Sequence, residues 1–359
     1  MSRERHLVIW LAVLTVFCVL VYLLKSMLLP FVAGMGVAYF LDPVADRLEK
    51  WGLSRTLATS LITAVFFAAV IVLLVLLVPL LEGQVVAFIG RLPGYAAALR
   101  EYAGPLLERL RTIVPAGEMD SLGDAASTYA GQAIKWIGTI LASVWSGGVA
   151  LFQLISLVVI TPLVSFYLLR DWDRIVERID VYLPRESAPT IHDQLSKIDR
   201  TLAGFIRGQA TVCLILGVFY AVGLSLLGLE FGLLIGLGTG LISFIPYFGM
   251  MVGLAVGIGV ALAQFSDLGS VALVAAVFAV GQVAEGNFLT PKLVGDRVGL
   301  HPVWVIFALL AGGTLFGFTG ILLAVPAAAV IGVLVRFVLE SYRDSRLYEG
   351  LGDDAGDRR

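Results

Sequence analysis

The residues best able to do chemistry in this sequence lie where a late apolar run ends. Glu285 follows the apolar residues 271–283, and Gln282 precedes it by three positions, so both fall on one face of a helix. A carboxylate at or near membrane depth is costly, which makes Glu285 a candidate for binding a cation or carrying a proton. The alternative is an interfacial carboxylate that is solvated or pairs with Lys292.

A second candidate feature is a break near the middle of the long apolar run of residues 231–265. Pro246, Tyr247 and Gly249 interrupt it. Proline removes a backbone N–H and disrupts the preceding turn, so the freed carbonyls could coordinate a cation or a polyol. A simple hairpin turn is the alternative. Glycines also break residues 303–335, and a pair of interrupted hydrophobic segments is typical of transport sites.

Further polar residues have candidate roles, each beside a structural alternative. Gln209 could contact a substrate, or it could form a hydrogen bond between helices. Asn287 and Thr290 could line the polar cluster around Glu285, or they could cap the end of its helix. The candidate gating residues are Arg170, Asp171 and Lys292. For the first two, a solvated ion pair that contributes little is the alternative.

Catalytic and cofactor motifs do not occur in the sequence. It has no HExxH, no GxxxxGK[ST] and no Ser-His-Asp order of a catalytic triad, so we predict neither an enzyme nor a bound cofactor. The two cysteines, Cys18 and Cys213, lie in apolar runs and have no neighbouring metal-ligand pattern, so no disulfide or metal site is expected. Without a nucleotide site, an ion gradient would supply the energy for transport, or the path would be passive.

The elements that position these residues are predicted to be membrane helices. The 359 residues are 59% hydrophobic and 14% charged, whereas soluble domains average about 45–50% apolar and about 25% charged residues. A soluble fold of this composition would expose large apolar patches, and continuous apolar runs exclude a β-barrel. We predict an all-α, polytopic transmembrane protein with about eight membrane segments, Gly/Pro-broken hairpins and an external helical arm.

Apolar runs and charged stretches alternate, and a span needs about 20 apolar residues. The predicted order is N-terminal transmembrane helices at 1–81, an extramembrane helical arm at 82–143, a transmembrane helix at 144–169, cytoplasmic amphipathic helices at 170–207, a transmembrane core with broken hairpins at 208–340, and a cytoplasmic tail at 341–359. The cytoplasmic helices are expected to lie at the membrane surface. Whether the two hairpins cross fully or are re-entrant stays open.

Within this order, prolines are expected to end or break helices. Asp42-Pro43 is expected to end the second span, while Pro93, Pro105 and Pro115 are expected to break the arm. Arginine and lysine are concentrated in alternate loops, and the positive-inside rule then places the N- and C-termini in the cytoplasm of a cell (inner) membrane protein.

Short motifs also occur in a characteristic order nearly from end to end. They are Leu29-Pro30-Phe31, Asp42-Pro43, Phe166-Tyr167-Leu168-Leu169-Arg170-Asp171, Gly208-Gln209, Ile245-Pro246-Tyr247-Phe248-Gly249, Asn287, Pro291-Lys292, Gly299-Leu300-His301-Pro302 and the glycines from Gly312 to Gly320 with Pro326. Their order and spacing resemble the autoinducer-2 exporter (AI-2E) family of bacterial and archaeal multi-pass transporters. Arg170 stands where that family would have lysine, and the charge is retained. The resemblance implies export of autoinducer-2 or exchange of Na⁺ for H⁺.

These observations favour a secondary membrane transporter that exports a small hydrophilic solute or signal of the autoinducer-2 kind, driven by an ion gradient. One alternative is a sodium/proton antiporter, and another is a non-transporting scaffold that recruits partners. A pure anchor has no need of the polar face formed by Glu285 and Gln282. The expected partners are the lipid bilayer and a small hydrophilic solute or Na⁺ and H⁺. A homo-oligomer is allowed, and nucleic acid is not expected.

Overall fold

The computed structural model describes residues 12–13, 15–16, 19–111, 148–294, 300–343 and 345. In these ranges the regular elements are helical, which confirms the all-α prediction. After the 3₁₀ turn Lys25–Met27 they are α1 (Leu28–Lys50), α2 (Arg55–Arg111), α3 (Gly148–Val181), α4 (Ala188–Leu226), α5 (Gly232–Ile242), α6 (Phe248–Gln264), α7 (Leu268–Ala284), a π-helical segment (Glu285–Val294) and α8 (Pro302–Arg343). Cys18, Pro115, the rest of the arm to residue 143 and the tail from residue 346 lie outside the described residues.

Five of the described helices are long and apolar enough to cross a membrane. They are Leu28–Lys50, Arg55–Arg91, Ala188–Leu226, Leu268–Val294 and Pro302–Arg343. Two shorter apolar helices, α5 and α6, lie between the third and fourth of these along the chain. Their lengths and composition confirm a polytopic membrane protein.

The expected proline breaks at Pro43, Pro93 and Pro105 are wrong. Helix α1 continues through Pro43 to Lys50, and α2 continues through Pro93 and Pro105 to Arg111. A proline removes one backbone hydrogen bond, and contacts elsewhere on the helix can outweigh that loss. The charged stretch 170–207 also differs from expectation. It forms the end of α3 and the start of α4, each continuous with an apolar segment rather than a separate surface helix.

The chain divides into two compact units, each assembled from pieces that are distant in sequence. Unit 1 comprises Met1–Thr63, Val159–Gly208 and Lys292–Arg359, and unit 2 comprises Ala64–Val158 and Gln209–Pro291. The serial segment boundaries predicted from the sequence remain predictions.

In unit 1, α1 packs on α3 through small residues and buried hydroxyls. Val164 lies so close to Gly34 that a Cβ on the glycine would be 2.7 Å from the valine Cγ1. Ser165 donates a hydrogen bond to the carbonyl of Gly34 at 3.0 Å, and Thr161 donates one to the carbonyl of Pro30 at 3.3 Å. These bonds hold two apolar helices together, since hydrocarbon offers their polar groups no other partner.

An ion network at the start of α2 explains why α1 continues past Pro43. Arg55 donates hydrogen bonds to Asp46 at 2.6 Å, Glu49 at 3.2 Å and Asp42 at 3.3 Å, and to the carbonyl of Leu169 at 3.0 Å. The three carboxylates are spaced by four and three residues, so they share one face of α1. One guanidinium therefore joins the last turns of α1 to α2 and to α3.

Replacing Arg55 by methionine is expected to lower the free energy of unfolding of the purified protein by about 2 kcal/mol. The Arg55 side chain is only 19% exposed, and its loss would leave three carboxylates facing one another. Thermal unfolding in detergent measures the effect. Arg47→Met is the matched control, because Arg47 is exposed on the same helix end and has no ion pair among the described residues. Equal melting temperatures for the two variants would contradict the network's role.

In unit 2, glycines bring the helices into backbone contact. Gly236 and Gly240 of α5 lie against the backbone of α4 at Ala221 and Gly217. Helix α6 then packs between α5 and α7. A Cβ on Gly257 of α6 would lie 2.6 Å from the ring of a phenylalanine in α7. Such small-residue contacts replace the hydrophobic driving force that is missing between helices in lipid.

A polar clasp joins α2 to the turn between α4 and α5 in unit 2. Arg91 donates to both oxygens of Glu230, and the hydroxyl of Tyr95 donates to the same carboxylate at 3.0 Å. The bonds from Arg91 hold the pKa of Glu230 below its ordinary value. The clasp therefore stabilises the fold fully at pH values above the ordinary pKa of a glutamate. This stabilisation is lost as the pH falls through the lowered pKa of Glu230.

The chain reverses inside α8 at Gly317. This glycine has φ 60° and ψ −138°, a conformation that residues with a Cβ rarely adopt. Beyond the turn, Gly320 lies against the carbonyl of Gly312, and a Cβ on Gly312 would be 3.4 Å from the Cβ of Ala324. The two arms of α8 therefore fold back on each other in close contact.

Candidate functional site

The hairpin between α5 and α6 contains the proline break singled out from the sequence. Pro246 lies in the connecting turn, and Tyr247, the N-cap residue of α6, has φ 67° and a side chain that is 56% exposed. Gln209 of α4 is buried at 5% exposure and donates from Nε2 to the carbonyl of Ser243 at 2.6 Å. Gln209 therefore makes the interhelical hydrogen bond, and it satisfies a carbonyl left free at the end of α5.

The hairpin is closed by tight packing at Gly249. A Cβ on this glycine would lie 2.5 Å from the Cα and the nitrogen of Ser243. Gly249 is therefore needed for the close approach of α5 and α6, and a ligand would have to part the two helices to reach the Ser243 carbonyl.

Glu285 stands at a change of helix type. It is half-buried and is the first residue of the π-helical segment, which continues directly from α7. Helical structure therefore continues through Asn287 and Thr290, so the alternative in which these two residues cap the end of the helix is wrong. Such π-helical turns are rare and often occur at functional sites, since the wider turn re-aims side chains. Gln282 and Thr290 are half-buried, and Asn287 is exposed.

Tyr220 of α4 is a member of the site that the sequence did not reveal. Its side chain is fully buried and stacks on Phe278 of α7 at 5.0 Å between ring centroids. Its hydroxyl lies against Gly281 and has no hydrogen-bond partner among the described residues. A buried polar group without a partner is uncommon and calls for an explanation.

The Tyr220 hydroxyl lies against the helix face that also carries Glu285. Gly281, which touches the hydroxyl, precedes Glu285 by four residues and so shares its helix face. On α4, Gln209, Cys213 and Tyr220 are separated by four and seven residues and therefore lie on one side of the helix.

Of the three candidate gating residues, Arg170 and Asp171 pair with each other, whereas Lys292 is exposed on a different helical segment. Arg170 forms a two-point ion pair with its neighbour Asp171, at 2.8 and 2.7 Å, and its guanidinium lies 4.9 Å from the ring centroid of Tyr167. The hydrogen bonds from Arg170 hold the pKa of Asp171 below its ordinary value. Both partners are on α3, so the pair does not by itself bridge two elements. Lys292 is exposed in the π-helical segment.

Comparison with known proteins identifies relatives along nearly the whole chain. The model described as "AI-2E family transporter" matches residues 7–340. The Bacillus subtilis protein named "Putative transport protein YrrI" is 29% identical over 353 residues, covering 93% of this chain and 97% of the relative. The Escherichia coli protein named "Putative permease PerM" is 28% identical over 329 residues, covering 91% of each chain.

Proposed function

Because this chain belongs to the AI-2E family of membrane transporters, we propose that it is a secondary transporter that exports a small hydrophilic solute of the autoinducer-2 kind. An ion gradient drives the movement. Glu285 carries the coupling charge, and Tyr220, Cys213 and Gln282 line the route beside it. The other residues proposed for this route are Gln209 of α4, Pro246, Tyr247 and Gly249 of the hairpin, and Asn287 and Thr290 of the π-helical segment.

The observation that carries this proposal is a half-buried carboxylate, Glu285, on the helix face that touches a buried hydroxyl, Tyr220, which has no hydrogen-bond partner among the described residues. Both groups lie on helices that are long and apolar enough to span a membrane. An ionisable residue in such a helix usually marks a substrate, ion or proton route, because burying it without a function is costly. A hydroxylated solute would supply the hydrogen bonds that the Tyr220 hydroxyl lacks.

Exchange of Na⁺ for H⁺ is the second candidate function, and one observation favours it. Glu285 has no ion pair among the described residues, so its carboxylate is available to a cation or a proton. A carboxylate that alternates between a proton and Na⁺ would suffice for antiport. In the first candidate function the same carboxylate would couple proton entry to solute export. The two functions therefore differ in whether the solute or Na⁺ moves against the proton.

Proteoliposomes that contain an entrapped pH dye distinguish the candidates. We expect a labelled polyol to move across the membrane of vesicles with an imposed pH gradient, and only when the protein is present. A dye response to added Na⁺ without polyol movement would assign antiport instead. If neither signal exceeds that of empty vesicles, the transport proposal is wrong for these solutes and the scaffold alternative gains support.

Tyr220→Phe is expected to impair transport and leave the fold intact. Phenylalanine keeps the stacking on Phe278 and removes only the hydroxyl, so the free energy of unfolding should be unchanged or rise by about 1 kcal/mol. The concentration of polyol that gives half-maximal transport should rise about tenfold, as expected when a hydrogen bond to the solute is lost. Tyr182→Phe, at a residue that is 87% exposed, is the control. Unchanged transport in Tyr220→Phe would remove this hydroxyl from the route.

A further inference from the structure

A crevice in unit 1 lies apart from the proposed transport route. It has a volume of about 340 Å³ and is formed by the charged half of α4 and the last turns of α8. Helix α4 contributes Lys197 and Arg200, and α8 contributes Arg336 and Glu340. Each helix presents these residues at spacings of three and four, so both helices turn one face toward the crevice.

The crevice carries an excess of positive charge. Three cationic side chains and one carboxylate line it. Lys197 already pairs with Asp193 at 2.7 Å, whereas Arg200 and Arg336 have no ion pair in the part of the chain that the structure describes. Two arginines that face one space and have no ion pair among the described residues favour a bound anion, and arginine binds phosphate oxygens in a two-point geometry.

The surroundings of the crevice are those of a membrane boundary. Helix α4 changes from charged to apolar residues after Arg207, about two turns beyond Arg200, and α8 changes from apolar to charged residues at Arg336. Val333, which is buried, and Phe337 form the apolar part of the lining. Charged and apolar surface therefore meet within about two helical turns of the crevice, as they do between the headgroup and the chains of a phospholipid.

We propose that this crevice binds a phosphate-bearing anion, and specifically the headgroup of an anionic phospholipid. The phosphate lies between Arg200 and Arg336, and the first carbons of the acyl chains lie on Val333 and Phe337. Basic pockets between membrane helices commonly take such headgroups. Glu340 lowers the affinity, because its carboxylate repels the phosphate. A bound lipid would join α4 to the end of α8.

Native mass spectrometry of the purified full-length protein tests the site. Phosphatidylglycerol should remain bound in preference to phosphatidylcholine with the same acyl chains. The double variant Arg200→Gln with Arg336→Gln should lose this preference, because each cation near a membrane surface contributes about fivefold to anion binding. Glu340→Gln should increase retention. Arg185→Gln, at an exposed arginine before α4, should retain the lipid as the unaltered protein does.

The outcomes separate the ligand sources and can overturn the proposal. Equal retention of the two lipids, or undiminished phosphatidylglycerol binding in the double variant, would refute the site. Inorganic phosphate is tested alone by its effect on thermal unfolding. If it stabilises the protein and displaces the lipid, the anion site stands and its ligand is a soluble phosphate. If the double variant does not fold, the test rests on Glu340→Gln. Unchanged phosphatidylglycerol retention in Glu340→Gln would contradict the proposal.

Discussion

Glu285→Gln is expected to abolish proton-coupled flux in proteoliposomes. Glutamine keeps the size and hydrogen-bonding groups of the side chain but cannot exchange a proton. Glu285 is half-buried in an apolar helix and has no ion pair among the described residues, so its carboxylate is the proposed carrier of the proton. The dye response to an imposed pH gradient should fall to that of empty vesicles, a loss of at least about tenfold.

Asp267→Asn is the matched control for this experiment. Asp267 caps the N-terminus of the same helix, accepting from the Ser270 nitrogen at 2.7 Å, and asparagine is an equally good cap. This variant loses a carboxylate but keeps the helix, so its flux should be unchanged. Glu285→Asp should retain part of the flux, because the proton-carrying group remains. Normal pH dependence in Glu285→Gln would exclude this residue from the mechanism.

Gly236→Ala is expected to destabilise the protein more than Arg55→Met does. A Cβ at this position would overlap the backbone of Ala221 and Tyr220 in α4. Because the obstacle is backbone rather than a flexible side chain, α5 must move away and release its contacts along α4. We expect the free energy of unfolding to fall by about 2–3 kcal/mol, measured as a lower melting temperature of the purified protein.

Gly238→Ala makes the same chemical change two residues further along α5. No atom lies within 4 Å of a Cβ built there, so this substitution should leave stability unchanged or increase it slightly, since alanine favours helix. Transport should also be retained. If the two alanine variants melt at the same temperature, the contact between α5 and α4 is not as tight as described.

Features of the fold that depend on local composition could be predicted from the sequence. Features that depend on contacts between residues distant in sequence could not. Apolar run length was enough to predict the membrane helices, and Pro246 and Gly317 marked the reversals. At Pro43 the same reasoning failed, because Arg55 stabilises the following turns by contacts that no local pattern reveals. Helical structure likewise continues from α7 through Pro291, which the local sequence does not reveal because a proline removes a backbone hydrogen bond and disfavours a continuous helix.

Part of the candidate site was open to sequence reasoning and part was not. Glu285 and Gln209 stand out because polar residues are rare in apolar segments. Tyr220 does not, since a tyrosine among apolar residues is ordinarily core, and only the structure shows that its hydroxyl has no hydrogen-bond partner in the described part of the chain. The one sequence signal for Tyr220 is its spacing from Gln209 and Cys213, which places all three residues on one side of a helix.

The uninterrupted course of α2 has a mechanical consequence. Its 57 residues measure about 85 Å, nearly three times the thickness of the hydrocarbon layer. Tilting such a rod by about 10° about its first residue would swing Arg111 through about 15 Å. A displacement of the distal end would therefore be carried along one continuous helix to its apolar portion, and the ion pair of Arg91 with Glu230 would restrain the helix between the two.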